Sequence, residues 1–126
     1  MPAHLVALSA DHDLALLKLD RCIASPYLSA RSKERLSQGQ SVYAVGSPLG
    51  LRDTVSSGVV SGFDDYYIRT NAQIYPGNSG GPLIDAEGNV VGINTLKMLT
   101  RNFEGLGYAI DIRTAMREFR SYLGKQ

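Results

Sequence analysis

Short apolar runs broken by turn residues fill most of the chain, and only its last dozen residues follow a different rhythm. Residues 4–8 and 13–19 are apolar runs flanking the turn-like string Ser9-Ala10-Asp11-His12, which predicts two neighbouring strands at the start. Six further runs, at residues 41–45, 55–63, 66–70, 82–84, 90–94 and 107–110, read as strands joined by turns such as Asp85-Ala86-Glu87-Gly88-Asn89. Six strands are enough for one small closed barrel. Residues 25–40 are polar, open with Ser25-Pro26 and close with Gln38-Gly39-Gln40, so they read as a loop crossing between two sub-structures. Then the period changes. Ile112, Ala115, Met116, Phe119 and Leu123 recur at spacings of three and four, with Asp111 available as an N-cap and Gly124 as a stop. That pattern predicts an amphipathic helix over 112–123 whose apolar stripe covers a sheet edge or a barrel face. The expected class is all-β with a C-terminal α-helix, without internal repeats.

Composition narrows the functions this fold can serve. A chain of 126 residues that is 44% apolar can build one domain with a core. Thirteen basic residues face twelve acidic ones, and no block of like charge offers a footprint for phosphate, so nucleic acid is not an expected partner. The single cysteine, Cys22, rules out an internal disulfide and reads as a small buried hydrophobe. No Cys/His cluster stands at ligand spacing, and no metal site is expected. The first residues reach His4, Asp11 and Asp13 too soon to make a secretion signal or membrane segment, which leaves the localisation open.

The stretch with chemical content is Pro76-Gly77-Asn78-Ser79-Gly80-Gly81-Pro82-Leu83, where glycines crowd a serine closely enough for the backbone to fold sharply around it. A serine nucleophile needs its hydroxyl on a tight turn, with backbone N–H groups converging where an oxyanion will form. Gly77, Asn78 and Ser79 are the residues of that candidate oxyanion hole, the amides of Gly77 and Ser79 being its natural donors. The same string satisfies Gly-x-Ser-x-Gly, but the α/β-hydrolase elbow requires a strand before the serine and a helix after it. Here Gly80-Gly81-Pro82 leads into Leu83-Ile84 and a turn, with no β-α alternation.

The string resembles the nucleophile loop of chymotrypsin-like serine proteases, and the sequence around it is similar to the HtrA (Deg) branch. Asp13-Leu14-Ala15-Leu16-Leu17-Lys18 matches the strand headed by that branch's catalytic aspartate. Residues 39–51 and 54–62 follow the family's next loop and strands. Val91-Gly92-Ile93-Asn94-Thr95 resembles the strand against which substrate pairs, and Gly107-Tyr108-Ala109-Ile110 the last strand before the terminal helix. The chain departs from the pattern at Asn71, in place of an aspartate, at Tyr75, in place of an asparagine, and at Asp111, in place of a proline. Asn78 stands where digestive enzymes carry the aspartate that captures a new N-terminus, so activation by clipping is not expected.

The resemblance implies a serine endopeptidase with Ser79 as nucleophile, Asp13 as the triad aspartate and no cofactor. Its substrate would be a polypeptide, and homo-oligomers are common in the family. The fold would be the C-terminal six-stranded barrel over 41–111, reached through a connection at 25–40. Residues 1–24 would be the last strands of an incomplete N-terminal barrel, leaving unpaired edges and exposed apolar faces. Gln73, six residues ahead of Ser79, lies where the floor of the primary specificity pocket falls, so Lys or Arg would lack a counter-charge there. The family's general-base histidine lies some tens of residues before the aspartate, whereas only twelve residues precede Asp13. His4 and His12 match neither its motif nor its position. The chain is therefore expected to be inactive alone, and the rival expectation is a non-catalytic barrel that binds an extended peptide by strand addition near Asn94.

Overall fold

The computed structural model describes residues 2–21, 27–31, 36–46, 54–74, 76–95 and 107–123. Cys22, Tyr75, Gly124 and residues 47–51 of the family-like stretch lie outside them.

A hairpin and a barrel organise the chain. Strands β1 (Ala3–Ser9) and β2 (Leu14–Leu19) pair antiparallel, with a bulge between Leu5 and Ala7. The other strands are β3 (Ser41–Gly46), β4 (Thr54–Asp64), β5 (Tyr67–Thr70), β6 (Pro82–Asp85), β7 (Val90–Thr95) and β8 (Gly107–Asp111). They close in the order β3-β4-β5-β8-β7-β6, every neighbour antiparallel. The six predicted runs are thus the six barrel strands. Closure removes the sheet edges that an open six-stranded sheet would present.

Alternation along β5 and β8 makes two cores from one sheet. Ile68 and Ala109 point into the barrel, where Val42, Val60, Leu83 and Val91 fill the interior. Their sequence neighbours Tyr67, Tyr108 and Ile110 point outward, into a second cluster with Leu14 of the hairpin and Ile112, Ala115 and Phe119 of the helix. The terminal helix therefore covers a barrel face, as its stripe predicts. Asp111 caps it by accepting from the Arg113 amide at 2.9 Å, and its carboxylate also holds the Arg113 guanidinium at 3.0 Å. The helix is not continuous over 112–123, however. It divides into α1 (Ile112–Glu118) and α2 (Arg120–Leu123), because Phe119 takes ψ 18° as its ring turns into the second cluster.

Two further expectations need correction. Tyr66 is not part of β5: Asp65, at φ 52°, makes a tight turn that leaves Tyr66 outside the ladder. The polar connection at 25–40 is also more than a crossing loop. Ala30 bridges to Val90, the Arg31 amide donates to the Val90 carbonyl at 2.8 Å, and Leu36 is buried in the barrel core.

Arg31 also reaches the β6–β7 turn, where its guanidinium pairs with Asp85 at 3.2 Å. Burial raises the Asp85 pKa, but the amides of Asn89 and Glu87 together with Arg31 outweigh it and hold the carboxyl below its ordinary 3.8. A depressed carboxylate stabilises the fold above its unfolded value, and this contribution is lost as pH falls through the lowered folded value. Asp85→Asn should therefore cost about 1–3 kcal/mol near neutral pH. In urea unfolding the gap from wild type should shrink between about pH 7 and about pH 2; a gap that stays constant contradicts this assignment.

The hairpin buries one face and exposes the other. Leu14, Leu16 and Ala7 pack against the second cluster, while Leu5 and Leu17, directly opposite each other, stay 51% and 61% exposed beside Leu8 and Leu19. An apolar face of this kind drives association. The double variant Leu5→Lys/Leu17→Lys should reduce concentration-dependent sedimentation and leave barrel amides protected; unchanged sedimentation rules that face out as the cause.

Candidate active site

The serine loop leaves β5, passes through a one-turn 3-10 helix at Pro76–Asn78 and enters β6. Ser79 is exposed at its apex, next to Gly80 at φ +88°, a left-handed conformation that side chains disfavour. Asn78 turns the other way. Its side chain is almost fully buried and donates to the Gln73 carbonyl at 3.3 Å, so it braces the loop from within.

Close backbone approach explains two other glycines. A Cβ on Gly46 would stand 2.2 Å from that of Asn78, and one on Gly81 would stand 2.7 Å from the Val45 carbonyl oxygen. The loop therefore lies flat on the end of β3, which only glycine at these positions permits. Gly46 matters to the serine loop although it is more than thirty residues away, and nothing in its own local string announces this.

On the other side the loop is fixed by Asn94. Its carbonyl accepts from the Gly80 amide at 2.7 Å, its amide donates to the Gly81 carbonyl at 2.9 Å, and its side chain donates to the Pro82 carbonyl at 3.0 Å. Asn94 is 1% exposed, and its Oδ1 has no hydrogen-bond partner among the described residues. Both polar backbone groups of Asn94, within the strand expected to pair with substrate, thus serve the serine loop. Ile93 is likewise held in ladders to Pro82 and Ile110, and Thr95 faces Tyr108 at the end of β7.

The candidate oxyanion donors stand in the same turn. A 3-10 turn pairs each amide with the carbonyl three residues earlier, which for Ser79 is Pro76. In this conformation the turn competes for an amide that would otherwise face an incoming anion. The aspartate lies elsewhere, on the hairpin. Asp13 is exposed, in the left-handed region at φ 55°, and no described hydrogen bond joins it to Ser79. His4 pairs with Asp20 at 3.0 Å, and His12 with Ser9 and Glu118; neither contacts Ser79 in any described interaction. Asn71, where the family pattern has aspartate, accepts from the Val59 amide at 2.8 Å, so a neutral amide suffices to tie β4 to the end of β5.

A glycine-set serine on a closed six-stranded barrel is the arrangement of trypsin-like peptidases, and the family model described as trypsin-like peptidase domain matches residues 1–93. The chain belongs to that family. Its relatives place it in the HtrA/Deg branch. It is 41% identical to a DegP-like periplasmic serine endoprotease of Halomonas elongata, with 92% of this chain and 26% of that protein aligned. It is 36% identical to the Do-like serine protease HtrA of Bacillus subtilis, over 94% of this chain and 30% of that one. Among solved structures, the serine endoprotease from Yersinia pestis superposes with a TM-score of 0.83 at 34% identity, covering 98% of this chain and 44% of that chain. The chain thus spans about a quarter of the length of the curated relatives it matches. No helix among the described residues is long and apolar enough to cross a membrane.

The Asn94 side chain separates two contributions to this site. Asn94→Ala should strand the Pro82 carbonyl and cost about 1–3 kcal/mol, with faster exchange of the Gly80 and Gly81 amides. If those two amides keep wild-type exchange rates, the side chain does not hold the loop.

Proposed function

We propose that this chain carries the nucleophile and the acid of a serine endopeptidase whose imidazole base comes from polypeptide outside this sequence. One observation carries the reading: Ser79 projects from a glycine-set turn clamped on both sides, by Gly46 and by Asn94. A fixed, exposed hydroxyl beside backbone amides is what acyl transfer to serine requires.

With a base in place, Ser79 Oγ attacks the carbonyl carbon of a peptide and passes its proton to the imidazole. Asp13 holds that imidazole in the correct tautomer and stabilises its charged form. As the tetrahedral oxyanion forms, the amides of Gly77 and Ser79 turn toward it and stabilise its charge. The proton then goes to the leaving amine, and water repeats the sequence on the acyl-enzyme. No metal or organic cofactor is needed at any step.

Substrate residues on this reading are apolar and of small to medium size at the cleavage position, because Gln73 supplies no counter-charge for Lys or Arg. The extended peptide lies beside the end of β7, and the main chain of Asn94 is committed to the serine loop. The same commitment weighs against the rival reading of strand addition at Asn94, because β7 already pairs with β6 and β8. A remnant of the N-terminal barrel at 1–24, a connection at 25–40, a barrel at 41–111 and a helix at 112–123 form the proposed division of the domain.

Alone, the chain should hydrolyse peptides on the order of a million-fold more slowly than a complete triad. A fluorophosphonate probe tests this directly. Ser79 should label poorly in the isolated chain and readily once an N-terminal segment containing a histidine is supplied. Ser79→Ala should abolish that labelling, and Asp13→Asn should slow it by about ten thousand-fold. Failure to label with the segment bound overturns the protease reading in favour of a binding module.

A further inference from the structure

The turn that carries Asp13 is fastened to the far end of the chain. Ser9 Oγ donates to Glu118 Oε1 of α1 at 2.7 Å, across 109 residues of sequence. His12 Nδ1 lies 3.1 Å from the same Ser9 oxygen and 3.4 Å from Glu118 Oε2. A hydroxyl has one hydrogen to give. Since that hydrogen points at Glu118, the contact with His12 is a donation from Nδ1–H to Ser9 Oγ. The His12 ring stands edge-on to Tyr66 at 4.7 Å, and the Tyr66 hydroxyl donates to the Asp11 carbonyl at 3.1 Å. On the other side of Asp13, Leu14 is buried in the second core cluster.

Residues 9, 11, 12 and 14 are thus each held by a contact of their own, while Asp13 is exposed, as are Ala10 and Asp11. Its φ of 55° lies in the left-handed region, which residues other than glycine, asparagine and aspartate rarely enter. We infer that Ser9, His12, Glu118 and Tyr66 form a clasp that positions Asp13 for its role in the triad, so that helix α1 acts on the site from outside it. This rests on the reading of Asp13 as the triad aspartate. The four are positioning residues, since none of them touches Ser79 in a described interaction.

The clasp assigns each member a distinct signature. Glu118→Ala removes both acceptors at once, whereas Glu118→Gln keeps an oxygen for the Ser9 hydroxyl. In the 126-residue chain, amide couplings of Asp13 should report the left-handed φ in wild type and an averaged value in Glu118→Ala. Turn amides at residues 10–13 should exchange about tenfold faster in that variant, and barrel amides at their wild-type rate. Nitrogen shifts of His12 should show Nδ1 protonated in wild type and lose that bias in Glu118→Ala. Glu118→Gln should restore most of the Asp13 coupling.

An Asp13 indifferent to Glu118→Ala overturns the clasp, as does equal loosening of the barrel, which would mark Glu118 as merely structural. The two readings part cleanly. A clasp that fixes Asp13 in a chain whose Ser79 never labels stands without the protease reading, and labelling alongside an indifferent Asp13 leaves the protease reading without the clasp.

Discussion

The arrangement depends on a pair of backbone hydrogen bonds: Gly80 N–H to the Asn94 carbonyl and Asn94 N–H to the Gly81 carbonyl. They join the loop that bears Ser79 to β7, a strand already fixed in the barrel by β6 and β8. A serine on a free glycine-rich loop would sample many orientations, and ordering it in each encounter would cost backbone entropy of about 1–2 kcal/mol per residue. Here the barrel meets that cost during folding. The glycines at 46 and 81 are then the condition for seating the loop, because a Cβ at either would collide with backbone or with Asn78.

A second constraint acts on the other half of the proposed chemistry. Asp13 belongs to a two-stranded hairpin, and such a hairpin alone is marginal in water. It is stabilised by lending one face to the barrel: Leu14 and Leu16 join the outer cluster formed by β5, β8 and the terminal helix. The barrel interior thus supports the serine, and the barrel exterior supports the aspartate. Both layers come from the simple alternation of residues 67–68 and 108–110 across one sheet. Ser9, His12 and Glu118 complete the attachment at the turn.

Most of the fold was legible because strands in a closed barrel must be short, apolar and punctuated by turns, and glycine and aspartate mark those turns. Strand ends fell within a residue or two for this reason, and the helix was readable from a stripe beginning at Ile112. The errors have physical causes. Leu36 sits in a polar stretch, so periodicity could not reveal that it enters the core; Phe119 fits the helical stripe equally well whether or not the helix breaks there. Within the site, Ser79 and its glycines were visible because the turn chemistry is local. The occupation of the Asn94 main chain was not, since any residue has the same backbone groups and only the fold decides who uses them. The link from Ser9 to Glu118 was beyond reach for the same reason that long-range polar contacts generally are: neither residue type nor spacing encodes it.

The central claim is that the Ser79 loop is shaped for a tetrahedral adduct once an imidazole is at hand. Boron NMR of a peptidyl boronate, added to the chain together with a histidine-bearing N-terminal segment, examines that geometry without requiring turnover. The account predicts a tetrahedral boron signal that vanishes in Ser79→Ala. A boron that stays trigonal, or an adduct indifferent to Ser79, would contradict it.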